Sequence, residues 1–170
     1  IKQPFGIGTN TEWFYLLGNF GVHIKGTEKK LLPIDEKISF GDIRESGLPF
    51  YGGALTYHVP LQLPRGKIKL RVPHYRGGLI RANLDGEQTK RIVLPPYMQF
   101  FSVSQKGQHF LNITVYPSRN NAFGPVHLAD KCEEWLGPSA WRSYDDAWTD
   151  GYCLKEEGIL SKPVITILPD

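Results

Sequence analysis

Two runs of alternating residues, KIKLRV at 67–72 and LIRANLDGE at 79–87, constrain this chain more than any other stretch. In the first, Ile68, Leu70 and Val72 alternate with Lys67, Lys69 and Arg71, the period of a strand with one dry face and one wet face. In the second, Ile80, Ala82 and Leu84 part by twos from Leu79, Arg81 and Asn83. Gly77 and Gly78 between the runs, and Asp85-Gly86 within the second, are turn chemistry. The two runs read as a strand pair of a sandwich or barrel, joined as a hairpin.

The same period recurs along the chain. In ALTYHVPLQL, Leu55, Tyr57 and Val59 face one way and Thr56, His58 and Pro60 the other. Pro60 has no amide hydrogen to donate, so this strand lies at a sheet edge, or ends or bulges there. Pro64-Arg65-Gly66 turns the chain into KIKLRV, and short strands follow at KRIV, which stops at Pro95-Pro96, and at YMQFFSV. In HFLNITVY, Leu111, Ile113 and Val115 alternate with Phe110, Asn112, Thr114 and Tyr116, giving one apolar face. KPVITIL closes the chain as a β-branched strand. Strands arrive about every ten residues with turns between them, which is β-sandwich spacing.

The remaining segments are less regular. TEWFYLLGNFGVHIKG is apolar on both faces, which predicts one strand or a strand pair in the middle of a packed sheet. From Thr27 to Leu48 the text turns polar, which implies a long connection with at most one helical turn over Asp42 to Ser46. The tail from Ser118 to Leu160 holds three of the four tryptophans and no clean period; Ala129 to Leu136 has room for one or two helical turns before Gly137-Pro138. A final strand after a long irregular excursion fits Greek-key or jelly-roll wiring.

Length and composition agree with an all-β reading. A chain of 170 residues suits one domain with a real core, and 18 Gly, 13 Pro and 12% aromatics favour turns and short strands. The net charge of +3 is spread out, so no basic block calls for nucleic acid. No apolar run approaches the ~20 residues that span a bilayer, so no membrane partner is expected. The chain opens on Ile1 without a starting Met and reads as a piece of a longer or processed polypeptide. Cys132 and Cys153 either pair, in an exported protein, or stay as thiols. No CxxC, HExxH or DxDxDG-like run occurs, so no metal and no cofactor are expected.

The order WFYLLGNFGV, GLPFYGGALTY, KLRV…IRANLDGE, LPP, HFLNITVYPSRNNAFGPVH and YCLKEEGIL resembles the galactose-binding-like jelly-roll domain of large bacterial glycoside hydrolases. It is most similar to the C-terminal sandwich of α-L-rhamnosidase-like enzymes, over nearly the whole chain. LLGNFGV, GLPFYGG and NNAFGPVH are the most specific pieces, and ANLDGE departs from the tighter Asn-Gly turn of many relatives. The resemblance implies an accessory domain of an enzyme whose catalytic carboxylates lie in a separate barrel, at the bacterial surface or outside the cell rather than in the cytoplasm. Its expected partners are an oligo- or polysaccharide, an adjacent catalytic domain, or both.

Glycoside hydrolysis within this chain would need two carboxylates about 5–10 Å apart across the bond. Glu133, Glu134, Asp145, Asp146 and Asp150 are the available acids, and clustered acids on a polar loop are ordinary solvated surface. No GxSxG elbow frames a nucleophile. A sugar, in contrast, presents an apolar ring face with a hydroxyl rim, and its binder needs an aromatic plate beside donors and acceptors. Tyr51, His74, Tyr75, Arg76, Asn120, Asn121, His127 and Trp141 are the candidate ligand-binding residues, with Tyr144 and Trp148 near them in the tail. Each has a structural alternative: Tyr51 as a core plug, the Asn pair as turn scaffolding, the tryptophans as a lid on the sandwich. A third possibility is an interdomain spacer whose aromatics pack on a catalytic barrel.

Overall fold

The alternating runs become strands whose apolar faces meet in one core. The computed structural model describes residues 4, 6, 7, 15–35, 37–129 and 145–169. The strands are β1 (Gly21–Lys25), β2 (Glu28–Leu32), β3 (Leu55–Leu63), β4 (Gly66–Arg71), β5 (Leu79–Leu84), β6 (Lys90–Ile92), β7 (Met98–Val103), β8 (Gly107–Tyr116) and β9 (Val164–Leu168). A four-stranded antiparallel sheet in the order β3-β8-β5-β6 faces a three-stranded one in the order β7-β4-β9, and β1 with β2 forms a separate ribbon. Ile68, Leu70 and Val72 from one layer and Ile80, Leu111, Ile113 and Val115 from the other are completely buried together. This is an all-β sandwich. Among the described residues no helix is long and apolar enough to cross a membrane.

Pro60 sits in β3, which is an edge strand, where a missing amide donor disturbs no second neighbour. β9 pairs with the central β4, Arg71 against Val164, after an excursion whose described residues hold a four-residue helix, α1 (Asn120–Phe123), and a 3-10 turn at Asp145–Ala147. At Asp85-Gly86 both residues have positive φ, 52° and 77°, and the Glu87 amide donates to the Leu84 carbonyl. That is the primed turn which Asn-Gly would also make, so the departure in sequence leaves the turn intact.

Three expectations need correction. KIKLRV and LIRANL are not a hairpin: β4 bonds β7 and β9, whereas β5 bonds β6 and β8 in the opposite layer. Val72–Gly78 is a crossover, and the two dry faces meet across the core rather than side by side. The N-terminal aromatic run is not the middle of a packed sheet in its described part. Leu16 and Leu17 are exposed, no strand precedes Gly21 among the described residues, and residues 8–14 lie outside them. The polar stretch after Gly26 contains a strand, β2, because Gly26 (φ 61°) and Thr27 close a two-residue hairpin with Lys25 against Glu28. The expected turn over Asp42 to Ser46 is present as successive i→i+3 bonds. The helical turns expected over Ala129 to Leu136 fall, after Ala129, outside the described residues, as does Cys132.

At the end of the sandwich that carries the 64–65, 85–89 and 104–106 turns, His109 is buried between two acceptors. Its Nδ1 lies 2.5 Å from Asp85 Oδ2 and its Nε2 2.9 Å from the Gln105 carbonyl, so the doubly protonated ring satisfies both. The bond to Asp85, with the Gln105 carbonyl, raises the His109 pKa, and the same bond with the Phe110 amide lowers that of Asp85. The histidine's contribution is complete below the ordinary value of about 6.5 and is lost as pH rises through the raised one; the aspartate's is complete above about 4 and is lost as pH falls through the lowered one. Thermal stability is therefore expected to be highest between about pH 4 and 6.5 and to decline on the alkaline side. His109→Gln is expected to abolish that alkaline decline in a series of melting curves; an unchanged slope would remove the pair from the account.

Candidate functional site

The opposite end of the sandwich carries the long loops, and one segment organises them. The register Leu55 to Val115 and Leu79 to Tyr116 brings the starts of β3 and β5 to the end of β8, where the Gly78 amide bonds the Tyr116 carbonyl. Across this end runs the strap Cys153–Ile159, extended and bonded on both sides. The Ile43 amide donates to the Glu157 carbonyl, Gly158 and Arg76 exchange both backbone bonds, and the Cys153 amide donates to the Val126 carbonyl. The buried Glu157 carboxylate accepts the Ser118 amide at 3.1 Å and the Ser118 hydroxyl.

Two side chains fasten the strap to its neighbours. Arg44 donates to Asp42 Oδ2 at 2.7 Å and, through Nη1, to the Leu154 carbonyl at 2.7 Å. Burial by itself would raise the Asp42 carboxyl, but the Arg44 guanidinium and the amides of Arg44 and Glu157 together hold it below the usual carboxylate range. The buried Asn121 reads both backbone groups of Lys155, donating at 2.8 Å and accepting at 2.9 Å. Asn121 is thus scaffold. Asn121→Ala is expected to cost about 1–3 kcal/mol, because a buried amide that holds both part-buried backbone groups of Lys155 is lost; chemical denaturation measures it.

Beside the strap lies a cleft of about 480 Å³, lined among others by His23 and Ile24 of β1, Arg44, Asn120, Tyr152 and Lys155. Of its lining, Tyr152 is also the inner member of a stack of rings. His127 lies between Trp148, at 4.5 Å and 21°, and Tyr152, at 4.6 Å and 38°. Phe50 meets Tyr152 edge-on at 5.1 Å, and the Lys29 ammonium stands 5.0 Å from the same ring. His127 Nδ1 and the Thr149 carbonyl are 2.9 Å apart, and the Trp148 Nε1–H donates to Asp150 at 3.1 Å. Tyr152 is therefore partly buried, whereas Trp148 is 45% exposed. A tryptophan supported on one side, with a carboxylate at its rim, has the form of a sugar plate.

The sequence-predicted residues divide about the strap. Asn120 and His127 belong to the cleft and the ring stack. Tyr51 is exposed; its hydroxyl donates to the Ala54 carbonyl at 3.0 Å, so it folds over its own loop rather than plugging the core. Arg76 is tied through its backbone to Gly158, three residues along the strap from the Lys155 that Asn121 holds, or roughly 10 Å away at 3.3 Å per residue. Tyr75 packs edge-on against Tyr97 at 5.3 Å, and burial, with a smaller push from Tyr97, raises its phenol pKa. His74 is exposed beside it. Trp141, like Tyr144, Glu133 and Glu134, lies outside the described residues. Trp148 was named with the tail aromatics, whereas Tyr152, Arg44 and His23 were not among the predicted site residues. The signal for Tyr152 was WTDGY, in which Asp-Gly turns the chain so that Trp148 and a second ring four residues on both pack on His127. Asp145, Asp146 and Asp150 are all exposed, and no group of three potential metal ligands occurs among the described residues.

No family model matches the chain, and no curated protein matches it. Two solved structures are similar in shape. A rhamnosidase from Novosphingobium sp. PP1Y aligns with 86% of this chain at 15% identity and a TM-score of 0.50, over 14% of its own length. A GH2 β-galacturonidase from Eisenbergiella tayi, bound to glycerol, aligns with 88% of this chain at 18% identity and a TM-score of 0.46, over 23% of its own length. The likeness to the rhamnosidase is one of fold. The chain spans a quarter or less of either solved chain.

Proposed function

We propose that this chain is a non-catalytic accessory domain of a carbohydrate-active enzyme, a jelly-roll sandwich of galactose-binding-like type that holds glycan weakly at its loop end. The observation that carries the reading is Trp148: an exposed ring, backed by His127, with Asp150 at its rim, in a stack whose third ring, Tyr152, lines the Asn120–Lys155 cleft. Such a plate offers one face to the C–H side of a sugar ring, and the Asp150 carboxylate and Asn120 amide offer hydrogen bonds to its hydroxyls. The fold shared with a small portion of a rhamnosidase supports the accessory role. One stacked ring and an open cleft suit affinities in the millimolar to micromolar range, or roughly 4–8 kcal/mol. The catalytic carboxylates belong, in this reading, to another domain.

Titration of the 170-residue chain with rhamnose- and galactose-containing oligosaccharides tests the proposal. The expected result is saturable binding that perturbs tryptophan fluorescence and the amide resonances of 120–128 and 148–155. A folded chain that gives no response to any oligosaccharide would overturn the glycan site. Exposed Leu31 and Leu32 on the β1–β2 ribbon favour a second role, as a spacer that packs on its neighbour.

A further inference from the structure

The outer face of the three-stranded sheet carries a row of positive charge that the fold leaves unanswered. Lys67, Lys69 and Arg71 point outward from β4, since Ile68 and Leu70 between them are fully buried. Two residues of strand separate each cation from the next, or about 6.6 Å at 3.3 Å per residue. The register sets Lys67 between Ser102 and Leu168, Lys69 between Phe100 and Thr166, and Arg71 between Met98 and Val164. No carboxylate stands in those three rows, and among the described residues no acid pairs with any of the three cations. Lys90 of β6 adds a fourth, its ammonium donating to the Phe100 carbonyl at 2.5 Å. Lysines commonly guard an edge strand against pairing with another chain, but β4 is bonded on both sides and has no edge to guard. The face is also not wholly polar: Phe100 beside Lys69 is 45% exposed, and Val164 beside Arg71 is 42% exposed.

We infer that this face is a second carbohydrate site, one that takes an acidic polysaccharide built of uronate units. The inference rests on the accessory-domain reading, which makes the partner a glycan; charge complementarity then selects an acidic one. A uronate carries its carboxylate on the ring rim, next to the C–H face. With that face on Phe100, the carboxylate comes within reach of Lys69 on the next strand, roughly 5 Å away. Further carboxylates along the same chain meet Lys67 and Arg71. A nucleic acid strand would call for several stacking rings along its track, whereas Phe100 is the one aromatic side chain in the three rows. The loop-end site differs in sign, because Asp150 at the Trp148 rim accepts from neutral hydroxyls and repels carboxylates. The two faces thus divide neutral from acidic sugars.

Titration of the 170-residue chain with a hexameric oligoalginate, whose units are all uronates, tests this. Saturable binding is expected that moves the amide resonances of 66–71 and 98–103, leaves those of 148–155 in place and weakens as salt is added. Lys69→Gln/Arg71→Gln is expected to bind on the order of tenfold more weakly and Phe100→Ala about threefold, each melting within a few degrees of the unsubstituted chain. Lys25→Gln/Lys30→Gln, which removes the same charge from the exposed ribbon, is expected to bind normally. Equal losses in the two double variants would reduce the effect to net charge and overturn the site, as would a response confined to 148–155. If oligoalginate gives no response while neutral oligosaccharides bind at the loop end, the sheet face is wrong and the accessory role survives; if neither binds, both glycan sites fail. Tighter binding of an oligodeoxynucleotide of the same charge would replace the glycan with nucleic acid.

Discussion

Leu70→Ala is expected to lower the unfolding free energy by about 2–5 kcal/mol, the range for truncating a fully buried aliphatic side chain. Leu70 has no exposed surface and sits on β4, the central strand of its sheet, opposite Gln99 of β7 and Ile165 of β9. Hydrogen bonds on both edges hold that strand in place, so the layer has little freedom to collapse into the space left behind. The cavity term therefore adds to the lost transfer energy. Lys69→Ala, one residue away on the outer face, is expected to stay within about 0.5 kcal/mol. Urea denaturation reads both: the Leu70 variant should lower the midpoint at an unchanged slope. Equal effects at the two positions would mean that the alternation in KIKLRV does not mark an inside and an outside.

That alternation was the most legible part of the molecule. Period two appears wherever one strand face is dry, and β3, β4, β5 and β8 all announce themselves through it. What period two leaves open is which strands are neighbours. Ile68 and Ile80 each show that they point into a core, and nothing in either run says that they reach it from opposite layers. Pro60 carried more positional information, because a missing N–H tells which kind of strand tolerates it. The ribbon was hidden for the converse reason: EKKLL has no dry face, so no periodicity marks it, and only the two-residue Gly26-Thr27 loop betrays it.

The candidate site was legible by residue type but not by grouping. The two asparagines of the NNAFGPVH stretch diverge: Asn121 turns inward to bind Lys155 while Asn120 lines the cleft. Their division depends on where the strap passes. YCLKEEGIL has no period and earns its extended course from partners scattered through the chain: Ile43, Arg44, Arg76, Ser118, Asn121 and Val126. Long-range backbone pairing of an aperiodic segment leaves little trace in local sequence.

Trp148→Ala is expected to weaken oligosaccharide binding at least tenfold, or about 1.4 kcal/mol, while leaving the melting temperature within a few degrees of the unsubstituted chain. The two readouts separate plate from lid. If Trp148 covered the core, its loss would open apolar surface to water and lower stability in proportion to the area uncovered, at about 25 cal/mol per Å². Its ring instead leans on His127, outside the sandwich, and nearly half of its surface is exposed. Trp148→Phe should fall between the two in affinity, since it keeps an apolar ring but gives up area and the N–H that holds Asp150. Tyr51→Ala, whose hydroxyl bonds the carbonyl of Ala54 in its own loop, is the matched exposed-aromatic control and should bind normally. If Trp148→Ala and Tyr51→Ala weaken binding equally, the glycan is not seated on a particular ring, and the stack of Trp148, His127 and Tyr152 is better understood as the brace that fixes the ribbon against the strap.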